Sequence, residues 1–221
     1  GDVYYQAAAL APTDRQIYVS HKNGKTERLT DAEGWNSALF SGDYQYFINT
    51  WSDYNTPYVF TTRTRAGKVI STLQDNSQLR QTIKEYGFCK REAFSFTTSE
   101  GVTLNGWMLR PLDFDASKRY PVIMHQYSGP GSQQVKNAWS AGSMGQGGAY
   151  DSYLAQQGFI VVSVDGRGTG GRGAEFEKCT YLNLGDIESR DQVETALYLG
   201  TLPYVDKNRI GIWGWSYGGF N

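Results

Sequence analysis

Ile210-Gly211-Ile212-Trp213-Gly214-Trp215-Ser216-Tyr217-Gly218-Gly219 is an apolar run that turns sharply through a serine flanked by glycines. Gly214 to Gly218 fits G-x-S-x-G, a string too short to decide anything alone; its weight comes from the strand before it and the helix start after it. At such a turn the serine is held in a strained backbone conformation, and the glycines let neighbouring chain pass where a Cβ would not fit. The chemistry this implies is nucleophilic. Ser216 would attack a carbonyl carbon while the backbone N–H of Tyr217 donates to the developing oxyanion. A serine hydroxyl needs a base, and in hydrolases built this way both acid and base follow the nucleophile. The sequence ends five residues later, at Asn221, so these 221 residues are expected to lack acid and base and to be inactive alone. His125, at the end of an apolar run from Pro121 to Gln126, is read as a structural strand-end histidine rather than as the base.

Outward from that turn, the second part of the chain alternates strand, loop and helix. Strands are expected at Ala93 to Thr97, Leu104 to Arg110, Val122 to Tyr127, Phe159 to Val164 and Ile210 to Trp215. Phe159 to Val164 is almost continuously apolar and β-branched, which suits a central strand covered on both faces. Helices are expected over about residues 147–157, stopped by Gly158, and over Ile187 to Leu199, with Val193, Ala196, Leu197 and Gly200 on one side. This pattern predicts a mixed α/β sheet.

The first part has a different texture. Short β-prone runs (Val3 to Leu10, Gln16 to His21, Glu27 to Leu29, Tyr44 to Trp51, Tyr58 to Thr62, Val69 to Leu73) are separated by turn residues, predicting an antiparallel meander of a sandwich or of propeller blades. Asn23-Gly24 is expected to form a type I′ hairpin, with further turns at Ser41-Gly42-Asp43 and Ala66-Gly67. Asp75-Asn76-Ser77 reads as a cap for a linking helix over Gln78 to Tyr86, ended by Gly87. The expected boundaries are therefore residues 1–75, a linker at 76–92, and 93–221.

Composition narrows the function classes. Lys+Arg 21 against Asp+Glu 22 gives a net charge of -1, so no basic field exists to hold nucleic acid. The apolar runs are far shorter than the roughly 18 residues of a membrane span. Cys89 and Cys179 lack metal-ligand or redox spacing and read as buried thiols; His21 and His125, the only two histidines, have no ligand neighbours in sequence. No cofactor or metal is expected.

Three motifs together, Trp213-Gly214-Trp215-Ser216-Tyr217-Gly218-Gly219, Tyr127-Ser128-Gly129-Pro130 and Asp165-Gly166-Arg167-Gly168, resemble the dipeptidyl peptidase IV family of the prolyl oligopeptidase clan. Their order and spacing, and the Leu73-Gln74-Asp75-Asn76-Ser77 stretch, extend the resemblance over nearly the whole chain. The resemblance implies the final antiparallel strands of a β-propeller followed by the N-terminal half of an α/β-hydrolase domain. It implies a serine peptidase that releases N-terminal dipeptides with proline or alanine second. Ser216 matches the nucleophile, Tyr127 the tyrosine whose hydroxyl joins the oxyanion hole, and Tyr217 the residue that gives its N–H and lines the proline pocket. The family's amine-binding paired glutamates belong to an earlier propeller region, and no Glu-Glu pair occurs here. The family also implies a peptide substrate, a homodimeric parent and an extracytoplasmic location.

Other readings remain open at this level. Gly166-Arg167-Gly168-Thr169-Gly170-Gly171 fits the dinucleotide pattern G-x-G-x-x-G, but Arg172 to Leu184 shows no helical stripe after it. Asp165 and Arg167 are read instead as shaping a loop near the active site. A non-catalytic propeller using Trp35, Tyr44, Trp51 and Tyr54 to bind a protein is a second alternative. Another peptidase or esterase of the same clan is a third.

Overall fold

The computed structural model describes residues 1–144 and 148–221. The chain divides into two units, Gly1–Tyr86 with Lys136–Trp139, and Gly87–Val135 with Ser140–Asn221. The linking helix thus falls within the first unit.

In the first unit, β1 (Val3–Ala7), β2 (Gln16–Ser20) and β3 (Thr26–Arg28) form an antiparallel sheet in that order. A second antiparallel meander follows: β4 (Trp35–Phe40), β5 (Tyr46–Ser52), β6 (Val59–Thr64) and β7 (Val69–Gln74). The expected type I′ turn is not formed. Gly24 N–H donates to the His21 carbonyl at 2.9 Å, and of the Asn23-Gly24 pair only Gly24 has a positive φ, 82°. The loop is a type I turn followed by glycine in the left-handed bulge position. The same device recurs at Gly67, whose N–H donates to the Thr64 carbonyl at 2.8 Å.

Strand β4 lies outside the strands expected from sequence: Ala38 and Phe40 pack against the core, but the residue it buries completely is polar. Asn36 is fully buried, donates to the Arg15 carbonyl and the Gln16 side chain (both 3.1 Å), and accepts from Asn49 at 3.0 Å. Ile17, Val19, Leu29 and Phe47 form the small apolar core beside this network. Three of the four aromatics weighed as a binding face are engaged within this unit: Trp35 lies under the Arg15 and Lys136 cations, Tyr44 stacks on Tyr4 and Phe40, and the Trp51 indole donates to the Glu33 carbonyl. Helix α1 (Ser77–Glu85) starts after Asn76, which adopts a left-handed φ of 53° and makes no side-chain cap; the Asp75 carboxylate accepts the Ser77 N–H instead.

The second unit holds a five-stranded mixed sheet in the order β12-β10-β11-β9-β8, with β8 Arg91–Thr97, β9 Thr103–Leu109, β10 Tyr120–Gln126, β11 Ile160–Asp165 and β12 Val205–Gly214. β8, β9 and β11 pair antiparallel, while β10 lies parallel to both β11 and β12. All six residues of β11 are buried, as a strand covered on both faces requires. Its Ile160, Val162 and Val164 join Leu104, Val122, Met124, Leu199 and Val205 in the core. Helix α2 (Ala149–Gln156) docks through a buried ion pair, Asp151 to Arg91 at 3.1 Å, with the guanidinium 4.0 Å over Trp107. The expected start of this helix at Gly147 lies outside the described residues.

Two expectations are corrected here. Helix α4 (Asp186–Thr201) does not bury the side carrying Val193 and Leu197, which are exposed; it buries Glu188, Asp191, Gln192, Thr195 and Leu199. These polar groups turn inward because they meet polar loops at the strand ends. Cys179, just past the short helix α3 (Ala174–Lys178), is exposed, whereas Cys89 is buried. Its thiol makes a local bond to the Phe176 carbonyl at 3.1 Å.

Candidate active site

β10 and β12 are adjacent and parallel, and Gln126 pairs with Gly214, so both strands end at the same level of the sheet. The residues that follow, Tyr127 on one side and Trp215-Ser216 on the other, therefore emerge together at the carboxyl edge, where open α/β sheets hold their ligands. Beyond Gly214 the chain turns at once into the four-residue helix α5 (Tyr217–Phe220). Ser216 sits on the corner with φ 55° and ψ −117°. For a non-glycine residue this is sparsely populated backbone space, costing on the order of 1–3 kcal/mol, and such strain persists only where the surroundings enforce it.

The surroundings are two glycines. A Cβ on Gly214 would run into the Gly218 carbonyl, and one on Gly218 would lie 2.9 Å from the Tyr127 Cα and against the Gln126 carbonyl. All of these are backbone atoms and cannot rotate away. The Gln126 carboxamide fastens the turn by donating to the Gly218 carbonyl. Ser216 is left exposed, and Tyr127 and Tyr217 are half-buried beside it with ring centroids 6.1 Å apart. The Tyr217 N–H opens α5, and the first N–H groups of a helix have no intrahelical acceptor.

Distant side chains hold the loop after β10. Asp165, at the end of β11, accepts the Gln134 N–H and, at 2.7 Å, the Val135 N–H. Gln192 of α4 donates to the Ser128 hydroxyl and the Val164 carbonyl, both at 3.2 Å. Gly131 and Gly170 exchange backbone bonds with Gly168 and Ser132, tying the Tyr127-to-Pro130 loop to the glycine-rich loop. That second loop is clamped in turn: the Arg167 N–H and guanidinium both bond Asp191, and the guanidinium reaches Glu100 at 2.6 Å. Its glycines serve close packing, since a Cβ on Gly166 would sit 2.9 Å from the Asp191 Cβ. The first helix after it, α3, has only five residues, so no extended helix receives a pyrophosphate as the dinucleotide pattern demands.

His125 is buried, bonds the Gly142 carbonyl through Nδ1 at 2.9 Å and packs on Trp213. Burial lowers its pKa, opposed by the bond to Gly142. Among the described residues no group of three or more His, Cys, Asp or Glu side chains is arranged to hold a metal ion, and no helix is long and apolar enough to cross a membrane.

Sequence reasoning missed Glu188. It is fully buried, accepts the Tyr217 O–H at 2.7 Å and, through its other oxygen, the Gly185 N–H at 3.0 Å. Burial first, and then the bond to Glu188, pushes the Tyr217 pKa up to about 12, so the phenol keeps its proton at neutral pH. The available signal was the polar spacing Glu188, Asp191, Gln192, Thr195, a helical stripe that reads from sequence as a wet face.

Comparison with known proteins bears on this arrangement. Residues 149–221 match the prolyl oligopeptidase family, and residues 1–58 match the dipeptidyl peptidase IV N-terminal region. The chain belongs to the dipeptidyl peptidase IV family, in the prolyl oligopeptidase clan. Among solved members, the crystal structure of Porphyromonas gingivalis dipeptidyl peptidase 4 is similar with a TM-score of 0.93 and 47% identity, covering 100% of this chain and 30% of that one. The dipeptidyl-aminopeptidase B of Aspergillus niger is 36% identical over 226 residues, covering 100% of this chain and 24% of the relative. The chain thus spans between about a quarter and three tenths of the length of these dipeptidyl peptidase IV relatives. Within the family, the first unit supplies propeller strands and the second begins the α/β-hydrolase domain.

Proposed function

We propose that this chain is part of a serine peptidase that releases N-terminal dipeptides with proline or alanine at the second position. The observation that carries the reading is Ser216, a strained, exposed residue at the strand-to-helix corner, next to the end of β10. Its hydroxyl attacks the scissile carbonyl, forming an acyl-enzyme and releasing the amine; water then attacks the acyl-enzyme to release the dipeptide. The oxyanion takes hydrogen bonds from the Tyr217 N–H and the Tyr127 hydroxyl. The Tyr217 ring lines the pocket for the second residue of the substrate. In the order the hydrolase fold uses, the catalytic acid and base follow the nucleophile along the chain. The names of the relatives support dipeptide release; an extracytoplasmic, dimeric parent is a further part of this proposal.

A fluorophosphonate probe on the complete protein tests the nucleophile: Ser216 is the residue expected to be labelled. Turnover of a glycyl-prolyl amide in preference to acyl-peptide and ester substrates is the expected specificity. Labelling elsewhere, or preference for the ester, would replace this reading with that of another clan member.

A further inference from the structure

Helix α4 sends one side chain directly to the candidate pocket. Glu188 lies in its first turn, is 0% exposed, and uses both carboxylate oxygens, one on the Tyr217 hydroxyl at 2.7 Å and one on the Gly185 N–H at 3.0 Å. Tyr217 is therefore held at two ends. Its backbone is fastened by the strained corner at Ser216, and the far end of its ring is fastened by an acceptor 29 positions away. The ring also meets Tyr127 and Phe220, tilted against it with centroids 6.1 and 5.5 Å away, contacts that lack the directionality of a hydrogen bond. The Glu188 contact sets its angle. A hydrogen bond to a carboxylate is shorter and about twice as strong as one to a neutral acceptor, and that difference suits a positioning task.

Resting on the reading of Tyr217 as a pocket wall, we propose that Glu188 is a positioning residue that fixes the Tyr217 ring and thereby sets the preference for proline over alanine at the second substrate position. A rigid aromatic wall rewards a ring that fills the pocket; a wall free to swing discriminates less between a pyrrolidine and a methyl group. Glu188 touches neither substrate nor oxyanion. Its effect falls on the ratio of kcat/KM values for the two substrates rather than on the chemical step common to both.

The test is a double-mutant cycle in the complete protein, with Glu188→Ala, Tyr217→Phe and the double variant assayed on glycyl-prolyl and glycyl-alanyl amides. Each single change is expected to lower the proline-to-alanine ratio about 10-fold, and the double change to lower it about 10-fold again from wild type rather than ~100-fold, since both delete one contact. Glu188→Gln, which keeps an acceptor for Gly185 and a donor for the Tyr217 oxygen, is expected to restore most of the ratio. A 3-fluorotyrosine at position 217 gives a readout independent of turnover: its ¹⁹F resonance is expected to shift or broaden on Glu188→Ala and to recover on Glu188→Gln. If Glu188→Ala lowers thermal stability alone, leaving both ratio and resonance as in wild type, Glu188 is a cap of α4 and the proposal is overturned. If the resonance responds in a protein that cleaves neither amide, the positioning stands and the peptidase reading fails.

Discussion

Two loops meet at the end of the β10–β12 strand pair, and they are built by opposite means. The turn after β12 is local. Five consecutive residues make it, and Gly214 and Gly218 remove the Cβ atoms that would collide with the backbone it crosses. The loop after β10 is supported from afar, by Asp165 about 30 residues on and Gln192 about 60 residues on, both bonding a segment with little regular structure of its own. The contrast teaches how the division of labour follows from chemistry. A nucleophile must be presented at one sharply defined point, which a tight strained corner does well. A donor to an oxyanion must be aimed at a position some distance away, and aiming depends on a supporting shell.

The largest expected effect breaks the local loop at its functional atom. Ser216→Ala in the complete protein removes one oxygen at an exposed position, so folding should be unchanged while kcat/KM falls by about 10⁶, as for a serine working within a triad. Circular dichroism and steady-state kinetics together check this, and a fall of only a few-fold in a folded protein would place the nucleophile elsewhere. Next comes the functional atom of the distant-supported loop. Tyr127→Phe keeps the ring and deletes the proposed donor, so kcat should drop by about 10²–10³, or ~3–4 kcal/mol, with KM changed much less. A lowered melting temperature with near-normal kcat would make that hydroxyl a fold contact.

The two smaller effects separate the supports themselves. Gly218→Ala puts a methyl group against the backbone of Gln126 and Tyr127, and should cost about 1–3 kcal/mol of unfolding free energy, read as a lowered denaturant midpoint, and most of the activity, because the corner must open to admit it. An unchanged midpoint would show that the corner has slack. Asp165→Asn keeps the shape but weakens the bonds to the Gln134 and Val135 N–H groups. It should lower kcat about 10-fold, roughly the ~1.4 kcal/mol by which a charged acceptor exceeds a neutral one, and leave Ser216 labelling by fluorophosphonate within a few-fold of wild type. Equal losses in turnover and labelling would mean that the two loops move as one.

What the sequence determined by itself is what depends on near neighbours along the chain. Ser216 between Gly214 and Gly218, the unbroken apolar run of β11, and the short turn-punctuated strands of the first unit all carry their reason within a few residues. Conversely, β4 went unread because its buried Asn36 is satisfied by Arg15, Gln16 and Asn49, which only folding brings to it. The face of α4 was assigned to Val193 and Leu197 because apolar residues are the usual buried ones; in the structure the buried stripe is Glu188, Asp191, Gln192 and Thr195. Burying such groups is unfavourable unless each finds a partner. Thr195 is satisfied within the helix by the Asp191 carbonyl, but the partners of the other three, Tyr217, Arg167, Ser128 and the Val164 carbonyl, lie 24 to 64 positions away, in loops whose meeting is decided by strand order. A polar residue announces that it needs a partner; only the tertiary structure decides whether that partner is water or, as for Glu188, the hydroxyl of Tyr217.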